Sequence, residues 1–183
     1  MKKNVKSKFA IFVIAVFATS CGIANTNFPG LTSRLNSPSS RYAVINIDSD
    51  TLDESGNNHS LWILDNLTKK KNKVFSYGRH VSVFWSPKGN YLTINNKEGS
   101  DFSNCILISM DEAFKKMDFA GNISSQFKEQ ETFKGDHIYI KCNRWTNETS
   151  IEISFVEYES GKALIKKLKF MYDVRTKLFT KLE

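Results

Sequence analysis

What most constrains this chain is a succession of short segments with alternating or β-branched character, each ended by a cluster of Gly, Asn, Asp or Ser. They are "YAVINID" from Tyr42, "SLWILD" from Ser60, "NKVFSY" from Asn72, "VSVFW" from Val81, "NYLTIN" from Asn90 and "NCILIS" from Asn104. Four more follow: "HIYIKC" from His137, "SIEISFVEYE" from Ser150, "ALIKKLKFMYDV" from Ala163 and "KLFTKL" from Lys177. A period of two sends apolar side chains to one face of a strand, and polar turns let each strand pair antiparallel with the next. The chain therefore reads as all-β, mainly an antiparallel meander. One segment breaks the pattern: "MDEAFKKMDF" after Ser109 spaces Ala113, Phe114 and Met117 as one helical face, and Ser109 with Glu112 has capping-box spacing. A short helix near residues 110–118 is predicted; from there to Phe133 no period is readable.

The N-terminus, "MKKNVKSKFAIFVIAVFATSCGIAN", has four lysines, an apolar run from Phe9 to Phe17 and then small residues. That is the order of an export signal, and the run is too short to span a bilayer. Cys21 after Ala18-Thr19-Ser20 resembles the lipobox of bacterial lipoproteins, in which the cysteine is diacylated and becomes the mature N-terminus. Ala18 stands where that family usually has leucine. The resemblance implies a signal peptide over residues 1–20, lipidation at Cys21 and attachment to a membrane through the N-terminal lipid. The place implied is the cell envelope, with the outer membrane, periplasm-facing, favoured by Gly22. Cleavage after Gly22-Ile23-Ala24 would instead release a soluble periplasmic or secreted protein. Residues 25–40, polar, with Pro29-Gly30 and Pro38, lack a period, so 21–40 reads as a tether and 41–183 as one β-rich domain.

The net charge of +7 shrinks once the signal is set aside: 26 − 4 = 22 Lys and Arg face 19 Asp and Glu, leaving +3. So balanced an exported chain gives no reason to expect nucleic acid as a partner. Lys69-Lys70-Lys71 reads as a solvated hairpin tip. With Cys21 assigned to lipid, Cys105 and Cys142 remain, an even number in an oxidising compartment. A disulfide between them is one reading; two buried cysteines acting as small apolar residues is the other.

Two internal echoes suggest repeated units. "SLWILDNLTKKKNKVFSYG" and "LKFMYDVRTKLFTKLE" each run from an apolar strand through Asp and a polar turn into a second strand, and Trp85-Ser86-Pro87-Lys88-Gly89-Asn90 is echoed from Trp145. "VFWSPKGNYLTINN", followed by "CILIS" and preceded by "LWILDNLTKKKNKVFSYGRHVS", resembles the WD-repeat-like repeats of the Tol-system periplasmic propeller and of prolyl-peptidase propellers. In that family tryptophan closes an inner strand and a Ser-Pro-Asp-Gly turn reverses the chain; Lys88 stands here for the aspartate. The resemblance covers residues 41 to 109 well and 137 to 182 poorly. It implies propeller-blade-like sheets in which Trp85, Ser86, Pro87, Gly89 and Trp145 are structural. About ten strands make only two to three four-stranded units, too few for a closed ring, so an incomplete propeller is expected.

A Gly-x-Ser-x-Gly elbow, a phosphate-cradling glycine loop and a His-Glu-x-x-His helix are absent from the sequence. His59, His80 and His137 lie near strand starts without metal-ligand spacing, and the acidic loops 48–58 and 97–104 lack the calcium-loop pattern. No cofactor or metal is expected. Arg79-His80, between two strands, is the candidate binding loop, since inter-unit loops carry binding surfaces. The expectation is a lipid-anchored envelope protein with a non-catalytic binding or scaffolding module, an envelope protein as partner and oligomerisation as an option. The alternatives are an exported hydrolase-like enzyme or its associated domain, and a small-ligand or glycan receptor. A histidine within reach of a serine or carboxylate in a cleft would favour the enzyme; exposed tryptophans would favour the receptor.

Overall fold

A computed structural model describes residues 25–127, 135–159 and 164–182. The signal peptide expected over 1–20 and the lipidation at Cys21 lie outside them. Among the described residues no helix is long and apolar enough to cross a membrane.

Thirteen strands and one helix are described. Strands β2 (Arg34–Asn36), β3 (Tyr42–Asp48), β4 (His59–Asp65) and β5 (Lys71–Tyr77) form a four-stranded antiparallel sheet in chain order. The second sheet starts with β1 (Asn25–Phe28) beside β6 (His80–Trp85), then β7 (Tyr91–Lys97) and β8 (Phe102–Ser109), with short β9 (Lys116–Asp118) on β8. It continues through β10 (His137–Trp145), β11 (Ser150–Tyr158), β12 (Leu164–Asp173) and β13 (Leu178–Leu182). Only a short parallel contact, Phe102 and Ser103 against Ile138 and Tyr139, joins β8 to β10. The chain is thus three consecutive antiparallel meanders, β2–β5, β6–β9 and β10–β13, and the sheets do not close.

The turns show why each meander repeats. Between the first and second strands, Ser86 N–H donates to Tyr91 O, its Oγ accepts from Tyr91 N–H at 3.1 Å, and Gly89 N–H donates to Ser86 O. Ser37 makes the same three bonds with Tyr42 and Ser40, and Ser40 (φ 58°) takes the left-handed conformation of Gly89 (φ 76°). In the third meander Thr146 closes a turn one residue shorter onto Ser150. Between the third and fourth strands, Asp65 Oδ1 accepts from the amides of Leu67 and Thr68, and Asp173 Oδ1 from those of Arg175 and Thr176. A carboxylate two and three residues upstream replaces the missing backbone partners, the Asx-turn solution.

This repeat corrects two sequence expectations. The segment 110–118 is not a helix: Ser109 Oγ does accept from Glu112 N–H at 3.3 Å, but Ser109 N–H then donates to Lys115 O and Ala113 and Phe114 have φ of 52° and 62°. Ser109 occupies the place of Asp65 and Asp173, so the capping-box spacing closes a hairpin turn into β9. The helix, α1 (Phe119–Gln126), comes next, with Asp118 as N-cap accepting from Ala120 N–H at 2.8 Å. Residues 25–40 are not a tether throughout, because β1 and β2 lie in the sheets and Phe28 is fully buried.

Alternation then stacks the meanders. Val81, Val83, Trp85, Leu92, Ile94, Ile106 and Ile108 share one face of the middle meander and pack on Val44, Leu61, Ile63, Val74 and Tyr77 of the first. Its other face offers Phe84, Cys105 and Leu107 to Ile151, Ile153, Phe170 and Tyr172 of the third, where Phe119 and Ile123 of α1 fill in. Over Phe84, Trp85 and residues 105–108 the middle layer is buried on both sides, which suits the continuous apolar run of β8.

Candidate functional site

Trp85 and Trp145, the aromatic landmarks of the sequence, sit at the two layer boundaries. Trp85 is fully buried and its indole N–H donates backwards to Leu35 O of the first meander at 3.3 Å; Trp145, 4% exposed, donates backwards to Thr93 Oγ1 of the middle one at 3.2 Å. Both spend their polar atom on the preceding layer, which leaves neither for a ligand. Ser86, Pro87 and Gly89 belong to the turn beside Trp85.

The joint between the middle and third layers is tied by side chains, because backbone pairing there is so brief. Cys105 and Cys142 form a disulfide. The Asn95 amide reaches across from β7, donating to Cys142 O at 2.9 Å and accepting from Cys142 N–H at 2.8 Å, so it pairs with β10 as a strand would. Lys88 and Glu148 bridge the neighbouring turns at 2.6 Å.

On one side of this joint lies an open trough of about 710 Å³. Cross-strand pairing lays its floor: His80, Lys97, Ser103, Tyr139 and Val156 follow one another across β6, β7, β8, β10 and β11. Two residues along, Asn27, Ser82 and Asn95 form a parallel row on β1, β6 and β7, while Lys141 and Ser154 pair on β10 and β11. No carboxylate is among the described residues lining it, whereas Lys97, Lys141 and His80 are. The trough therefore presents hydroxyls, amides and cations on rigid strands. The loop singled out in the sequence divides between two clefts: His80 lines this trough, and Arg79 lines a second of about 520 Å³ between the first and middle layers, with Asn57, Tyr77 and Glu98.

The histidines stay apart. His59 Nδ1 lies 2.7 Å from Asp48 Oδ1 in the first meander, and that bond, with a second from Asn46, holds the Asp48 carboxyl below its usual range. His137 Nδ1 lies 3.1 Å from Asp101 at the joint. Neither pair has a serine, threonine or cysteine side chain hydrogen-bonded to the histidine among the described residues, and no cluster there could hold a metal ion. Of the tryptophans, only Trp62 is partly exposed, its N–H held by Ser60 Oγ at 3.0 Å.

The trough's floor was not legible beforehand. Asn95 and Tyr139 read as ordinary strand positions and Ser103 as part of the 97–104 loop; the brief β8–β10 contact brings Tyr139 beside Ser103. The signal available was the polar alternation of Thr93, Asn95 and Lys97 in "TINNK".

Family models, curated proteins and solved structures all give no match to this chain.

Proposed function

We propose that the chain is an exported, lipid-anchored cell-envelope protein whose β-rich domain is a non-catalytic binding or scaffolding module, built as three propeller-blade-like units of an incomplete propeller. The observation that carries this reading is the trough: a broad surface drawn from six strands, with hydroxyl, amide and basic groups set among apolar atoms, held rigid by the disulfide and Asn95, and with no hydrogen bond between His80 and a serine among the described residues. Binding surfaces borne on strands keep their geometry without loop rearrangement, which suits a scaffold. The repeated Ser and Asp turns support blade-like units, and the lipobox-like Cys21 supports the anchor. A second reading, a receptor for a small anionic ligand, is favoured by the lining alone, since Lys97 and Lys141 face no carboxylate and the volume lies within the small-molecule range.

The test is a photo-crosslinking side chain placed at Ser82 or Ser154 in the native envelope, with Thr180 on β13 as control. A discrete protein adduct from the trough positions, absent from Thr180, is expected. Equal adducts from all three, or hydrolytic turnover lost on His80→Ala, overturns the proposal; displacement of the adduct by a small anion would transfer the site to the receptor reading.

A further inference from the structure

The two ends of the three-layer stack differ, and strand register shows how. The pairs Leu92–Ile108 and Ile94–Ile106 of the middle meander, and Ile151–Tyr172 and Ile153–Phe170 of the third, occupy equivalent positions counted from their turns. Both sets are buried against the preceding layer. Their equivalents in the first meander are Ala43–Leu64 and Ile45–Trp62, with Ile47 one step further along. No layer precedes them among the described residues, yet the positions are still apolar: Ile45, Trp62 and Leu64 are half-buried and Ile47 is 40% exposed. At the other end of the stack the outward positions pair as Glu152–Met171, Ser154–Lys169 and Val156–Lys167, so that charged and polar residues interrupt the apolar ones.

A further unit of the same kind does not fit the N-terminal face by the anchor used inside the stack. Where Trp85 and Trp145 stand in the later layers, the first has Asn36, bound by Arg34 Nε at 2.9 Å. The face carries its own aromatic, Trp62, in the centre instead. Charge divides along its strands. Arg41, Lys69, Lys70 and Lys71 gather at the turn end, where Asp65 lies 3.9 Å from Arg41, and Asp50, Asp53 and Glu54 lie at the opposite end, where Asp53 leans towards Lys73 at 3.9 Å. A face with an apolar middle edged by Arg34 and Lys73, one basic end and one acidic end complements itself along its strands when turned by 180°.

We propose that the outer face of the β2–β5 sheet is a self-association surface, on which a second copy of this chain packs its own β2–β5 face across a twofold axis, strands antiparallel. Trp62 and Ile47 meet their counterparts near the axis, and the lysine turn of each copy lies over the 48–54 loop of the other. Glu152, Lys167 and Lys169 on the C-terminal face end the assembly at two copies, since a head-to-tail stack would bury their charges. The inference goes beyond the trough, and the two succeed or fail separately: crosslinking through Ser82 and Ser154 does not depend on Trp62.

The experiment is sedimentation velocity of the full chain in mild detergent, at a fixed detergent-to-protein ratio over a wide concentration range. A concentration-dependent dimer is expected, with dissociation raised about tenfold or more by Trp62→Glu, as for a central aromatic anchor. Ile47→Lys, at a more exposed position, gives the same direction without touching the sheet interior, and near-ultraviolet circular dichroism confirms that each variant keeps its packing. The charge reversal Lys70→Glu with Lys71→Glu weakens the dimer, and adding Asp50→Lys with Glu54→Lys restores it. A monomer at every concentration overturns the proposal. So does a dimer indifferent to both Trp62→Glu and Ile47→Lys, one lost instead on Lys169→Glu, or open-ended polymers.

Discussion

Gly89 meets two demands at once. Its φ of 76° lies in the left-handed region, and a Cβ there would come within 2.8 Å of the Ser37 Cβ, since the turn of the middle meander rests on that of the first. Gly56 has the same φ, 77°, but nothing within 4 Å of its Cβ position. Comparing the two alanine variants by urea unfolding separates conformation from contact. Gly56→Ala should cost about 1 kcal/mol for the left-handed backbone, and Gly89→Ala about 2–4 kcal/mol because the clash adds to it. Equal losses would mean that the turns do not pack as described. A second residue-scale effect concerns Asp65 and Asp173. Amide hydrogen bonds, led by Thr68 and Thr176 respectively, hold both carboxyls below the usual aspartate range. A carboxyl whose folded pKa is depressed adds stability above its unfolded pKa and loses it as pH falls through the folded one. Asp173→Asn should therefore lower the urea midpoint at neutral pH, with the difference from wild type closing as the pH falls below the ordinary aspartate range. A gap that stays constant down to acid would assign the effect to geometry rather than charge.

At the scale of elements, the joint between β8 and β10 is where side chains replace a sheet ladder. The disulfide there spans 37 residues in sequence, so replacing Cys105 and Cys142 by serine should cost about 4 kcal/mol through the freedom regained by the unfolded loop. Hydrogen exchange would show where the looseness goes. Amides of β10 and β11 should exchange faster while those of β3 and β4 hold, and uniform acceleration would contradict a layered build. The same joint explains what was and was not legible in the sequence. Strands such as "YAVINID" and "SIEISFVEYE" announce themselves because one face is buried along most of their length. β2 and β9, three residues each, are too short to show a period, and they exist because neighbours offer them an edge. The helix was misplaced for a related reason: Ser109 and Glu112 have the same spacing in a capping box and in this turn, and only the pairing of Lys116–Asp118 with β8 decides between them. Ser37-Pro38 with Tyr42 repeats Ser86-Pro87 with Tyr91 at identical spacing, and it places the first unit's opening strand inside what looked like a tether.

The molecule as a whole is a stack with two internal boundaries, each marked by one tryptophan, and only the second boundary carries a covalent tie. Trp85 reports the first, Trp145 the second and Trp62 the outer end. This arrangement makes the boundaries separable by one measurement. With 5-fluorotryptophan incorporated, three fluorine resonances are expected, assignable by single Trp→Phe variants, and the solvent isotope shift in heavy water reads the exposure of each. In the oxidised protein only the Trp62 signal should respond strongly, as its indole alone reaches solvent. Reduction should move the Trp145 signal towards the exposed response and leave Trp85 unchanged, because Trp145 is held to Thr93 across the boundary that the disulfide closes, whereas Trp85 rests on Leu35 across one it does not touch. If both buried signals shifted together on reduction, the three layers would be unfolding as one cooperative body, and the trough at the second boundary could not be loosened without dissolving the face that Trp62 occupies at the first meander.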